Sequence, residues 1–140
     1  MSQIHFFFPY KHISLKDRKQ LKDFLRDIFT KEKKKLGTLR YIFCSDKELL
    51  QINRQYLHHD FFTDIITFDL GTAGTIEGEI YISVERVKEN ARLWHTSIKE
   101  ELHRVIFHGV LHLCGYKDKL KKEEKEMRRK EDRLLLSYFG

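Results

Sequence analysis

Two cysteines, one proline and no long hydrophobic run are the first features of the 140-residue chain. A membrane-spanning helix needs about 18 or more consecutive apolar residues, and no stretch approaches that. The apolar run at the start, Ile4 to Pro9, has no basic residues before it, so no secretory signal is expected and a cytoplasmic location is. Cys44 falls in a predicted strand and Cys114 at the end of a predicted helix; a disulfide between them does not suit a reducing compartment. Internal repeats, low-complexity segments and linkers are also missing, so residues 1–140 read as a single domain able to bury its own core. Hydrophobic content of 41% with eleven phenylalanines excludes a disordered chain. The net charge of +6 and pI near 9.3 suit a polyanionic partner without requiring one.

Taken in order, Ile4–Phe8 reads as a short strand closed by Pro9. Ser14, with Asp17 three residues on, reads as the capping box of an amphipathic helix whose buried stripe is Leu21, Phe24, Leu25, Ile28 and Phe29. Its end runs into Lys31-Glu-Lys-Lys-Lys35, which serves either as cations at a helix C-terminus or, through Lys33, Lys34 and Lys35, as a contact for an RNA backbone. Thr38–Cys44 alternates as a strand, and Ser45 with Glu48 opens a second helix through Tyr56. The loop from Leu57 to Phe62 leads to a strand over Thr63–Asp69, and Gly71–Gly74 turns it into a strand over Thr75–Ser83. Ser83 caps a helix to about Trp94, a further helix spans Ser97–Cys114, and a charged last helix ends in the apolar Leu134–Phe139. The order predicts an α+β domain: a mixed four-stranded sheet with about five helices, the Ser97–Cys114 helix central.

That helix carries the chemistry. Ser97 and Glu100 cap it, Gly115 stops it, and its second half is apolar nearly all round. His108 and His112 are four residues apart and so share a face, about 6 Å apart along the axis. Two neutral imidazoles so placed can share a metal ion, and a third ligand must come from outside the helix. Asp118, just past the Gly115 turn, stands where a returning loop delivers a carboxylate. Three ligands and an open position suit a catalytic site better than a structural one. Gly109 costs about 1 kcal/mol relative to Ala in a helix, which calls for close approach of a substrate or another backbone. It also occupies the position of the general base in His-Glu-x-x-His proteases, so that chemistry is disfavoured. Cys114 points ~200° from His112 and reads as packing.

The run His108-Gly-Val-Leu-His112-Leu-Cys-Gly115-Tyr116-Lys-Asp118 resembles the signature of the YbeY family, His-Gly-x-Leu-His-Leu-x-Gly-Tyr-Asp-His. The family is described as bacterial rRNA maturation factors that act as metal-dependent endoribonucleases. A second block, with Asn53, Tyr56, Asp60, Thr63, Asp64 and Phe68, is similar to the family's Asn-x-x-Tyr-Arg-x-x-Asp-x-Pro-Thr-Asp-Val-Leu-Ser-Phe, and Gly78–Ser83 resembles its Gly-Asp-Ile-x-Ile-Ser. Three departures matter. Asp118 stands at the family's third histidine, Leu57 at its cleft arginine and Phe62 at its proline. An Asp ligand leaves the site with less positive charge and makes harder metals such as Mn²⁺ more competitive. Without the arginine, either His58, His59 or a neighbouring basic residue meets the phosphate charge, or this branch works less well on RNA.

The resemblance implies a single-strand-specific endoribonuclease in 16S rRNA 3′-end maturation and ribosome quality control, with RNA and the ribosome or its small subunit as partners; a monomer is the expectation, although nothing in the sequence sets the oligomeric state. The implied cofactor is one zinc or other divalent ion on His108, His112 and Asp118, in a cleft between the metal helix and the Leu57–Asp64 loop. Phe61 or Phe62 would stack on an unpaired base. Asp64 and His59 are the candidate catalytic residues, with Glu79 a further candidate base. Alternatives are a non-catalytic ribosome- or RNA-binding factor with a structural metal, a metallohydrolase of another substrate, and an iron site for oxygen chemistry.

Overall fold

A computed structural model describes residues 2–140. The elements run β1 (Gln3–Phe7), α1 (Arg18–Lys31), β2 (Leu36–Cys44), α2 (Asp46–Leu57), β3 (Ile65–Asp69), β4 (Ile76–Ser83), α3 (Val84–Leu93), α4 (Ile98–Leu113) and α5 (Lys121–Phe139). Among the described residues the strands form one sheet in the order β1-β2-β4-β3. β1, β2 and β4 are parallel, and β3 runs antiparallel to β4. This is the expected α+β architecture, a mixed four-stranded sheet with five helices. The hairpin from β3 to β4 closes on a Thr72–Thr75 bridge, with Gly74 at φ +90° supplying the turn.

α4 sits at the centre because almost every side of it is apolar. Leu102, Ile106, Phe107 and Val110 pack in one core with Leu39, Tyr41, Ile80 and Ile82 of the sheet and Leu21, Leu25 and Phe29 of α1. Each such side chain stabilises the fold by about 1.5–3 kcal/mol relative to exposure. The polar atom within this core is satisfied, since the Tyr41 hydroxyl donates to the Ile106 carbonyl (2.9 Å). Gly109 has its reason here. A Cβ at that position would lie 2.7 Å from Ile80 Cδ1 and 3.2 Å from Ile65 Cδ1. The close approach is therefore to sheet side chains, and not to a substrate or another backbone.

Local signals hold where nothing competes with them. Ser45 and Glu48 form both bonds of their capping box (3.1 Å each), and the Ser97 hydroxyl accepts from the Glu100 N–H (3.0 Å). The Ser14–Asp17 box does not form. α1 begins at Arg18, after Asp17 in the left-handed region with no side-chain cap. Leu15 is buried with Phe8, Tyr10 and Ile13 packed on the same core, and burying that extended segment outweighs a cap bond worth about 1 kcal/mol. The last helix packs back on the core through Met127, Leu135 and Tyr138, as its sequence predicts.

Candidate metal centre and its cavity

α4 carries His108 and His112 one turn apart, their rings nearly parallel (7°) with centroids 6.4 Å apart. The helix then ends in a Schellman turn. Gly115 takes φ +106° and donates to the His112 carbonyl, while Tyr116 donates to that of Leu111, both at 3.0 Å. This reversal brings Asp118 back against the helix, with its Oδ2 3.2 Å from His108 Nε2. On the other side of the ring, His108 Nδ1 lies 2.7 Å from Oε2 of Glu131 on α5. Glu131 is 5% exposed, and its Oε1 accepts from Arg104 Nη1 at 3.1 Å.

These contacts test the site against a metal. An ionised carboxylate only accepts, so His108 donates to Glu131 through Nδ1. In the neutral ring, the Nε2 lone pair then faces Asp118. Two acceptors at 3.2 Å need a positive charge between them, either a proton or a cation. A tetrahedral ion with bonds of ~2.0–2.1 Å has ligand–ligand edges of ~3.3 Å, so this pair fits a divalent ion. Two imidazoles on one such ion would have centroids roughly 5 Å apart, so His112, which is exposed, must turn toward His108 to join them. As the side chains stand, no three His, Cys, Asp or Glu among the described residues are gathered closely enough to hold an ion.

A cavity of about 450 Å³ opens onto His108 and Asp118. Its walls are α4, α5, the start of β3 and the end of α3, which contributes Asn90 and the exposed Trp94. This differs from the expected cleft, because of residues 57–64 only Asp64 reaches it. Asn53 explains the difference. Buried at the base of the loop, it donates to the Phe61 carbonyl (2.9 Å), while His58 turns the chain at φ +56°. His58 and His59 are held outside, exposed, with His59 stacked on Phe61 (5.1 Å) and Phe62 against the Arg86 guanidinium (5.3 Å). Glu79 also lies elsewhere, accepting from the Tyr81 hydroxyl at 3.1 Å.

Electrostatics sort the cavity's groups. Burial opposes charge on His108, but the Glu131 bond and the Glu131, Asp118 and Asp64 charges outweigh it and leave its pKa above the ordinary histidine value. Asp64 is raised, mainly by burial, with His108 partly opposing. Glu101, two turns before His108 on α4, is pushed up to about 7 by burial and then by Asp64. Lys33, Lys34 and Lys35 line a separate cavity of about 380 Å³, shared with the β3–β4 hairpin and with Leu113–Gly115 at the end of α4. Cys44 and Cys114 are free and buried, each thiol pushed up to about 12, first by burial.

Glu131, Glu101, Arg104, Arg128 and Trp94 were not singled out by the sequence pattern. One of them left a readable sign. Glu131 is spaced four residues from both Met127 and Leu135, so a charge occupies the buried stripe of α5.

The fold is that of a small α+β domain whose His108–Asp118 pair has the spacing of two ligands of a divalent ion, and comparison narrows this. The family model described as Endoribonuclease YbeY matches residues 9–139. An endoribonuclease YbeY from Cytophaga hutchinsonii is 53% identical over 130 residues, 92% of this chain and 91% of that protein. One from Porphyromonas gingivalis is 40% identical over 136 residues, 97% of this chain and 90% of that protein. The solution structure of a Thermotoga maritima protein superposes with a TM-score of 0.63 at 31% identity, covering 100% of this chain and 90% of that one. The chain belongs to the YbeY endoribonuclease family, a family of metal-dependent hydrolases.

Proposed function

We propose that this chain is a single-strand-specific, metal-dependent endoribonuclease that works as a single domain in 16S rRNA 3′-end maturation and ribosome quality control. Its metal is zinc or a harder divalent ion, held by His108, His112 and Asp118. The observation that carries the reading is His108 Nε2 facing Asp118 Oδ2 at 3.2 Å, at the edge of an acidic cavity. Five carboxylates line that cavity (Asp64, Glu101, Asp118, Glu124, Glu131) against two guanidiniums (Arg104, Arg128). Such a cavity repels an RNA phosphate unless a divalent cation offsets it. When bound, that ion would supply Lewis acidity toward a phosphoryl oxygen and toward water.

The chain's own groups supply the remainder. Asp64, buried with a raised pKa, is placed to take a proton from an attacking water. Arg128 is half exposed and holds only a long ion pair with Glu131 (Nη1 to Oε1, 3.8 Å), so its outer face can meet phosphate where Leu57 offers no charge. Trp94 borders the cavity and offers a face to an unpaired base, in place of the Phe61–Phe62 pair. Lys33, Lys34 and Lys35 flank the turn that leads to Asp118 and suit the RNA backbone. The test compares cleavage of one RNA sequence as a single strand and as a duplex, with zinc-loaded and chelator-stripped protein. Cleavage of the single strand alone, by the loaded protein alone, supports the reading; equal cleavage of both strands, or by both proteins, overturns it.

A further inference from the structure

We infer that Glu131, delivered by the C-terminal helix, is the positioning residue of the metal centre: it fixes the tautomer and orientation of His108, and Arg104 fixes Glu131. Both of its carboxylate oxygens are committed. Oε2 takes the His108 Nδ1–H at 2.7 Å and Oε1 takes Arg104 Nη1 at 3.1 Å. Arg104 in turn reaches Asp132 at 2.6 Å, so the clamp is tied to α5 at two successive residues. Glu131 and Arg104 have side-chain exposures of only 7% and 15%. Removing a buried carboxylate from water is costly, and a helix whose buried stripe is Met127, Glu131 and Leu135 would hold together better with an apolar residue at the middle position. The charge is retained because it does something an apolar side chain cannot. It makes Nδ1 the protonated nitrogen and turns the Nε2 lone pair toward Asp118, where the ion belongs. Because α5 bears this residue, the last helix is part of the site and not only a cover for the core.

The inference rests on the metal reading above, and the test separates the two. Zinc affinity is measured by chelator competition for the wild type, for Glu131→Gln and for Glu126→Gln, the same change at the surface of the same helix. Glu131→Gln keeps the size and one acceptor oxygen but removes the charge. It should weaken zinc binding by roughly 10- to 100-fold, with Glu126→Gln unchanged. In parallel, long-range ¹H–¹⁵N correlation spectra of the metal-free wild type with the ring neutral should show His108 protonated at Nδ1. This readout needs no variant to fold, and a role in packing alone would not set it. Wild-type affinity retained by Glu131→Gln, or His108 protonated at Nε2, overturns the inference and leaves the metal reading intact. A wild type that binds no zinc or other divalent ion overturns both.

Discussion

His103 and His108 lie on the same helix and are both largely buried, yet they do opposite things. His103 turns Nδ1 to a carbonyl of its own helix, Lys99 O at 2.7 Å, and its ring lies among Tyr138 (5.4 Å), Phe139 (4.9 Å) and Phe107 (6.2 Å). His108 turns Nδ1 to a carboxylate from another helix and Nε2 to a second one. Burial lowers the pKa of His103, with the Lys99 carbonyl only partly opposing, whereas the carboxylates carry that of His108 upward. A buried histidine among aromatic rings is part of the core. One between two acids is the proposed metal ligand, and the difference lies in what α5 brings to each: Tyr138 and Phe139 to the first, Glu131 to the second.

The largest effect expected from breaking this contrast is at the metal. His108→Ala and Asp118→Ala should each remove the bound ion, measured by metal analysis of the purified protein, and with it RNA cleavage by about two orders of magnitude or more. Full stoichiometric metal in either variant would show the ligand set to be wrong. His103→Phe, by contrast, should leave metal content and cleavage unchanged. A volume-conserving aromatic replacement should change stability by less than about 1.5 kcal/mol in chemical denaturation.

An intermediate effect concerns the face of α4 turned to the sheet. Gly109→Val should cost about 1–3 kcal/mol by overpacking Ile80 and Ile65, read from the denaturation midpoint, and an unchanged midpoint would remove the packing explanation.

The smallest effects are in pH dependence. The folded pKa of His103 lies below the ordinary 6.5, so the unfolded chain binds more protons there and stability falls as pH drops through 6.5 toward the folded value. The folded pKa of Glu101 is raised from 4.5 to about 7, so the native state holds the extra proton and stability falls as pH rises through that window. Glu101→Gln should therefore raise the melting temperature of metal-free protein above pH 7 by more than it does near pH 4.5, and His103→Phe should flatten the acid side. Parallel melting curves across the range for wild type and Glu101→Gln would show that Glu101 is not held neutral by its surroundings.

The same contrast explains what was legible in the sequence. The α4 signals are local: a Ser97 cap, a His108–His112 spacing, a Gly115 stop and an all-round apolar second half, each readable in a short window. The strands themselves followed from alternation, and the hairpin joining β3 to β4 from the Gly71–Gly74 turn; the order β1-β2-β4-β3 depends on long-range pairing that no short window records. Asp118 was readable because only a short turn separates it from His112. Glu131 was not, because its meaning depends on how α5 lies across α4, and no local pattern records that; the charge in an apolar stripe was its only trace. His59 was a candidate because it stands near Leu57, where the family has its arginine, but Asn53 pins the loop and His59 lies outside the cavity. The Ser14 cap was outcompeted by burial of Leu15, a tertiary contact that a capping pattern does not contain.

The most direct test of the central claim is cleavage of a single-stranded RNA by protein of measured metal content, alongside its metal-free form and His112→Ala. Activity should be proportional to bound metal and absent from the metal-free protein and from the variant. A wild type that holds stoichiometric metal yet cleaves no faster than His112→Ala would contradict it, and would make the centre a structural one.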